Sequence, residues 1–227
     1  MNVAIIAAAG QGTRLAGTRP KQFLELAGTP IIFHTLRVFE QCDSIQEIIV
    51  VIAAGESAGF LSLAGKQNLR KLTKVVTGGA TRAESVWRGL QAIRETNTDI
   101  VVVHDAVRPF VTTDEIARTV AAAQTTGAAI LVRAPVDTVK QVADGAIVTT
   151  LRRDDLRMAL TPQCFRYSLL RRAYEDVDVA DPALTDESSL VERLGLSVAI
   201  VEGSARNIKI TNKEDLVIAE AILKGEI

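Results

Sequence analysis

Two glycines, Gly10 and Gly12, follow a short apolar run, and Arg14 and Lys21 follow the glycines. Glycines at such a point let the backbone come close to a phosphate, with free N–H groups aimed at it. An arginine and a lysine beside that loop suit a triphosphate, because they can neutralise the charge that builds on phosphorus during displacement. The same glycines are also compatible with a tight strand-to-helix turn that holds no ligand. Two other phosphate loops are excluded. Leu15 stands where the dinucleotide fingerprint needs a third glycine, and Ala53-Ala54-Gly55 stands where it needs an acidic residue. The pattern Gly-x-x-x-x-Gly-Lys followed by Ser or Thr is absent.

Asp105 ends the apolar run from Ile100, at the place where open α/β sheets bind ligands. It can serve as a magnesium ligand, as a partner for ligand hydroxyls, or as a turn carboxylate with no ligand. His104 reads as a hydrogen-bonded core histidine, His34 as a helix residue and Trp87 as packing. Arg152, Arg171 and Arg172 read as solvated. Cys42 and Cys164 stand far apart, so neither a metal site nor a disulfide follows, and two reduced thiols are expected.

These residues need elements to carry them. Val3 to Ala8 reads as a buried first strand, not a signal peptide, since no basic segment precedes it. Ile32, Leu36 and Phe39 have helical spacing. Strands are expected at Ile48 to Ile52, Val75-Val76, Ile100 to Val103 and Ala128 to Val132. Between them, Ala83, Val86, Leu90 and Ile93 mark a helix. Thr112 and Glu115 form a capping box before Ile116 and Val120. This alternation predicts an α/β fold: a Rossmann-like, twisted, mostly parallel sheet covered by helices on both faces. Val139 to Leu151 reads as a hairpin around Asp144-Gly145. Its sparse apolar residues cannot bury themselves, so it should project as an arm and pack on a second subunit. Helices are expected at Arg166 to Asp176 and Thr185 to Leu194, with strands at Ser197 to Val201 and Asn207 to Ile210. Thr211 and Glu214 form a second capping-box pattern before a last helix that stops at Gly225.

The chain has 227 residues, which suits a single domain over 1–227 with the arm at about 134–155. Hydrophobic residues make up 48% but aromatics only 4%, so the core must be aliphatic, as buried parallel strands require. A net charge of −1 gives no footprint for nucleic acid or an anionic membrane, and no apolar stretch is long enough to span one. A cytoplasmic location is expected.

At the run from Ala8 through Gly12 and Arg14 to Pro20-Lys21-Gln22-Phe23 the sequence resembles the 2-C-methyl-D-erythritol 4-phosphate cytidylyltransferases. Further blocks match in order: Gly78-Gly79-Ala80-Thr81-Arg82-Ala83-Glu84-Ser85, Val103-His104-Asp105-Ala106-Val107-Arg108-Pro109, Ala134-Pro135-Val136-Asp137-Thr138, Leu160-Thr161-Pro162-Gln163, Leu184-Thr185-Asp186-Glu187 and Asn207-Ile208-Lys209. The resemblance implies a homodimer whose arms exchange, with each site drawing on both subunits. It implies CTP and methylerythritol phosphate as substrates, CDP-methylerythritol and pyrophosphate as products, and Mg²⁺ as cofactor. It assigns Arg14 and Lys21 to the α-phosphorus of CTP, and Arg153 and Lys209 to the acceptor phosphate. Asp105, Arg108, Thr138 and Thr185 become acceptor contacts. Ala8, Ala9, Gly10 and Gly12 would face the nucleotide, as would Gly79, Ala80, Arg82, Ser85, Asp105 and Ala106. Ala80 departs from the acidic residue that some members carry, so its role must pass to the backbone.

A phosphate acceptor is largely dianionic at neutral pH, its second pKa being about 6, so no general base is needed. Catalysis then rests on positioning and charge neutralisation. Two alternatives share the fold: a ribitol 5-phosphate cytidylyltransferase and a non-catalytic nucleotide-binding protein.

Overall fold

The computed structural model describes residues 1–10, 20–94, 97–175, 177–181 and 183–227. Gly12 and Arg14 lie outside the described residues, as does Asp176.

A seven-stranded sheet runs in the order β11 (Ala199–Glu202), β7 (Ala128–Arg133), β10 (Met158–Arg166), β6 (Ile100–Asp105), β1 (Asn2–Ala8), β4 (Glu47–Ile52) and β5 (Leu72–Thr77). β10 is antiparallel to both its neighbours and every other pair is parallel. The expected mostly parallel α/β sheet is therefore present. Alternation along β1 explains how one strand serves two cores: Ala4, Ile6 and Ala8 enter one, while Val3 and Ile5 enter the other. The first core is closed by α1 (Ile31–Gln41), α2 (Ser57–Ala64) and α4 (Thr113–Thr126). The second is closed by α3 (Arg82–Gln91), α5 (Tyr167–Glu175) and α6 (Ser188–Arg193). Two-residue strands β2 (Glu25–Leu26) and β3 (Thr29–Pro30) precede α1. The Thr112–Glu115 capping box opens α4 as expected.

Three expectations are corrected. Val75-Val76 belongs to a six-residue strand, not a short one. Asn207 to Ile210 forms no strand. Side chains satisfy its peptide groups instead of a ladder: Arg108 Nη1 donates to the Asn207 carbonyl at 2.9 Å, and Asn207 Nδ2 reaches back to the Thr161 carbonyl. The capping box before α7 (Lys213–Lys224) pairs Asn212 with Asp215, one residue later than Thr211 and Glu214. Thr211 instead gives both its N–H and its hydroxyl to Asp215, which accepts them at 2.7 Å each.

The hairpin is present as β8 (Lys140–Ala143) and β9 (Ala146–Thr150), joined by Asp144 and Gly145 at φ 50° and 78°. Two consecutive positive φ values are what a two-residue hairpin turn demands. Every residue of both strands is exposed, and Val142 and Ile147, which face each other across the ladder, are each 65% exposed. Among the described residues, no helix is long and apolar enough to cross a membrane.

Candidate active site

Parallel pairing sets the site. β1 and β6 run side by side with Ala7 opposite Asp105, so the loops leaving both strands emerge at one edge of the sheet. The loop after β5 joins them there, tied by the Gly78 N–H donating to the Ile52 carbonyl at 2.7 Å. A cavity of about 480 Å³ opens between these three loops. Ligands bind at this carboxyl-end crevice in α/β sheets. Its walls include Ala8, Ala9, Gly10, Lys21, Gly79, Ala80, Arg82, Ser85, Asp105, Ala106 and Lys209.

Asp105 is the only acid among the described residues that line the cavity, and cations surround it. Lys209 Nζ lies 2.8 Å from Oδ2, Arg108 Nε 3.6 Å from Oδ2, and Arg82 Nε 3.3 Å from Oδ1. Burial favours the neutral acid, but Arg82, Lys209 and Arg108 together hold the carboxyl well below the usual carboxylate range. Burial likewise opposes the charge on Arg82, yet Glu187 and Asp105 keep its pKa above the ordinary value. Burial lowers that of Arg108, against the pull of Asp105. Lys21 lines the same cavity, so among its described lining residues cations outnumber carboxylates, which suits the cleft to an anion.

A single turn, Lys21–Phe23, carries Lys21. Its neighbour Gln22 is buried and donates Nε2 to the Ala8 carbonyl at 2.6 Å. That bond pins the turn to the end of β1. The loop at 78–81 is braced from α3. Ala80 N–H donates to Glu84 Oε2 at 2.7 Å, while Arg88 donates to both Glu84 Oε1 and the Gly78 carbonyl. A Cβ on Gly79 would collide with the Glu84 carboxyl and displace it from its bonds to the Ala80 N–H and Arg88. The Ala80 N–H is thus taken up by Glu84, a carboxylate its sequence position did not mark out.

His104 sits beneath the cavity and is fully buried. Its Nε2 faces the Arg108 carbonyl at 3.1 Å, so that nitrogen carries the proton. Nδ1 then accepts the Thr161 hydroxyl at 2.9 Å, and Thr161 Oγ1 in turn accepts the Asp105 N–H at 3.2 Å. Both ends of the 105–108 turn hang on this one ring. The expectation of a core histidine holds.

Among the described residues, no cluster of three or more potential ligands could hold a metal by itself. One ionised carboxylate beside a cation-lined cleft does fit magnesium, which is commonly held by one or two carboxylates plus substrate phosphates. Asp105 is the residue that would hold a metal arriving with a triphosphate, in exchange for one of the cations now on its oxygens.

A family model for 2-C-methyl-D-erythritol 4-phosphate cytidylyltransferase matches residues 2–225. The chain belongs to the 2-C-methyl-D-erythritol 4-phosphate cytidylyltransferase family. Curated cytidylyltransferases of that name include one from Bacillus velezensis, 44% identical over 99% of this chain and 96% of its own length. Another, from Geobacter metallireducens, is 43% identical over 99% and 98%. Among solved structures, the 4-diphosphocytidyl-2C-methyl-D-erythritol synthase from Anaerococcus prevotii matches with a TM-score of 0.86 at 31% identity, covering 98% and 96% of the two chains. The cytidylyltransferase from Thermus thermophilus matches with a TM-score of 0.78 at 34% identity, covering 99% and 100%.

Of the residues assigned by resemblance to the cytidylyltransferases, those of the nucleotide half that are described all line the cavity. The acceptor half divides. Asp105 and Lys209 line the cavity, and Arg108 is buried behind Asp105. Thr138, Arg153 and Thr185 are exposed and line no part of it. Arg153 sits at the root of the arm, where Nη1 donates to the Val136 carbonyl at 2.7 Å.

Proposed function

We propose that the chain, as a cytoplasmic homodimer, transfers the cytidylyl group of CTP to 2-C-methyl-D-erythritol 4-phosphate. This is the step of non-mevalonate isoprenoid synthesis that yields 4-diphosphocytidyl-2-C-methyl-D-erythritol and pyrophosphate. The convergence of Lys21, Arg82 and Lys209 around a cavity walled by the 8–10 and 78–81 loops carries the reading. An acceptor phosphate oxygen attacks the α-phosphorus of CTP. The new P–O bond forms as the bond to the bridging oxygen breaks, and that oxygen leaves with pyrophosphate. The acceptor arrives already ionised, so no protein group has to remove a proton. The protein's work is to bring two anions together and to balance the charge at phosphorus. Lys21 and Arg14 would do this at the α-phosphate, and Lys209 at the acceptor. Magnesium held by Asp105 and the triphosphate would supply further charge neutralisation there.

The exposed arm supports the dimer. A two-stranded hairpin is marginal in water alone, and one that shows Val142, Ile147 and Val148 to solvent wants a partner surface. We read residues 1–227 as one domain whose arm, at about 134–155, embraces a second copy. Thr138 and Arg153, which line no part of the cavity of their own chain, would then serve the partner's. The test offers CTP with methylerythritol phosphate or with ribitol 5-phosphate and follows pyrophosphate release. Faster turnover with ribitol phosphate would overturn the acceptor assignment.

A further inference from the structure

Arg82 is stretched between two carboxylates. Nε faces Asp105 Oδ1 at 3.3 Å on the cavity side, while Nη1 donates to both oxygens of Glu187, at 2.7 and 2.9 Å. Glu187 comes from a segment 105 positions away in sequence and is 1% exposed. It is itself held by further contacts. Oε1 accepts the Tyr174 hydroxyl at 3.2 Å, and the backbone N–H donates to Gln163 Oε1 at 3.1 Å. Gln163 is held in turn by Asp186, and the Tyr174 ring stacks on Trp87 of α3 at 5.3 Å between centroids. A carboxylate so buried and so completely bonded is an anchor for the mobile end of a long side chain.

We propose that Glu187 is a positioning residue: it holds the Arg82 guanidinium at the cavity wall, where its remaining N–H groups face the bound nucleotide. The inference rests on reading this cavity as the nucleotide site. Without the pull of Glu187, Arg82 is drawn fully onto Asp105. That would compete with Lys209 for the carboxylate and turn the guanidinium away from the nucleotide. Glu187 thereby keeps Arg82 and Asp105 apart as two separate contacts.

The experiment is a double-mutant cycle on the full chain. It uses Glu187→Gln, Arg82→Ala and their combination, with kcat and KM for CTP, calorimetric titration with CTP and thermal unfolding of each. Glu187→Gln keeps the shape and loses the charge. It should lower kcat/KM for CTP about tenfold or more, within the range of coupling between contacting groups. In the Arg82→Ala background the same change should have no further effect, because Glu187 acts through Arg82. Arg82→Ala leaves a buried carboxylate without its cation, so its unfolding midpoint should fall and recover in part when Glu187→Gln is added. Tyr174→Phe is the milder second probe, with a smaller loss that also vanishes in Arg82→Ala. Additive losses, or wild-type kinetics in Glu187→Gln, overturn the inference while leaving the cavity's function intact. Failure of the wild-type chain to bind CTP would instead sink the reading of the cavity, and the positioning role with it.

Discussion

Lys209 places its ammonium 2.8 Å from Asp105 Oδ2, at the floor of the cavity, although the two residues come from opposite halves of the chain. Asp105 keeps Arg82 and Arg108 when this contact is lost. Lys209→Met should therefore leave the fold almost unchanged, with a stability loss of about 1 kcal/mol, because Lys209 is itself partly exposed and the buried carboxylate keeps two other cations. Activity should respond differently. The acceptor loses its cation, so kcat/KM for methylerythritol phosphate should fall about 100-fold, the size expected for one removed stabilising group. Calorimetry should find CTP binding within a few-fold of wild type. Equal losses for both substrates would show that Lys209 serves the nucleotide.

Gln22 and Lys21 are neighbours with separable roles. Lys21→Ala removes a charge from the transition state, and kcat should drop about 100- to 1,000-fold with the thermal midpoint unchanged. A loss confined to KM would contradict that role. Gln22→Ala strands the buried Ala8 carbonyl and frees the turn that carries Lys21. Denaturant unfolding should show a loss of about 1–3 kcal/mol. The kcat should fall as well, but less than in Lys21→Ala, since the ammonium is still present and only less well placed.

The contrast between these two residues shows what was legible in the sequence. The β1–β4–β6 core could be read because aliphatic runs and capping boxes are local signals, and the buried strands match them. β10 was invisible for the opposite reason. Thr161, Pro162 and Gln163 look unlike a central strand, yet Pro162 falls where the pairing with β7 shifts register, and Thr161 and Gln163 are satisfied by His104, Glu187 and Ser188 far away in sequence. Cations of the site were legible through the family resemblance. Gln22 and Glu187 were not singled out, because what they do depends on partners that only folding brings near, whereas Glu84 went unmarked although its partners Ala80 and Arg88 stand only four residues to either side.

His104 predicts an acid-labile fold. Burial, the largest influence, lowers its pKa to about 4, with Arg108 and Arg82 also opposing a charge, while the Arg108 carbonyl and Asp105 favour one. The Phe39 ring packs against it and supplies no charge. The unfolded value is about 6.5, so between that pH and about 4 the unfolded chain takes up a proton that the folded chain refuses. Stability is fully present above pH 6.5 and declines as the pH falls toward 4, by up to about 3 kcal/mol. His104→Gln keeps a donor for the Arg108 carbonyl but cannot be protonated. Urea unfolding in metal-free buffer at steps from pH 7 to 4.5 should show a shallower decline for the variant. Parallel curves would mean that other groups cause the acid sensitivity.

The arm yields the sharpest prediction about assembly. If it embraces a second copy, Ile147→Asp buries a charge in the interface, and sedimentation should find monomers with little activity. Arg153 then belongs to the partner's site and Lys21 to its own. Lys21→Ala and Arg153→Ala chains, each nearly inactive alone, can be unfolded together and refolded as an equal mixture. In a mixed dimer one site carries both lesions and the other carries neither. Mixed dimers form half of the population and keep one good site in two, so about a quarter of wild-type activity should return. If Arg153 acts within its own chain, every site in every dimer carries one lesion, and mixing restores nothing.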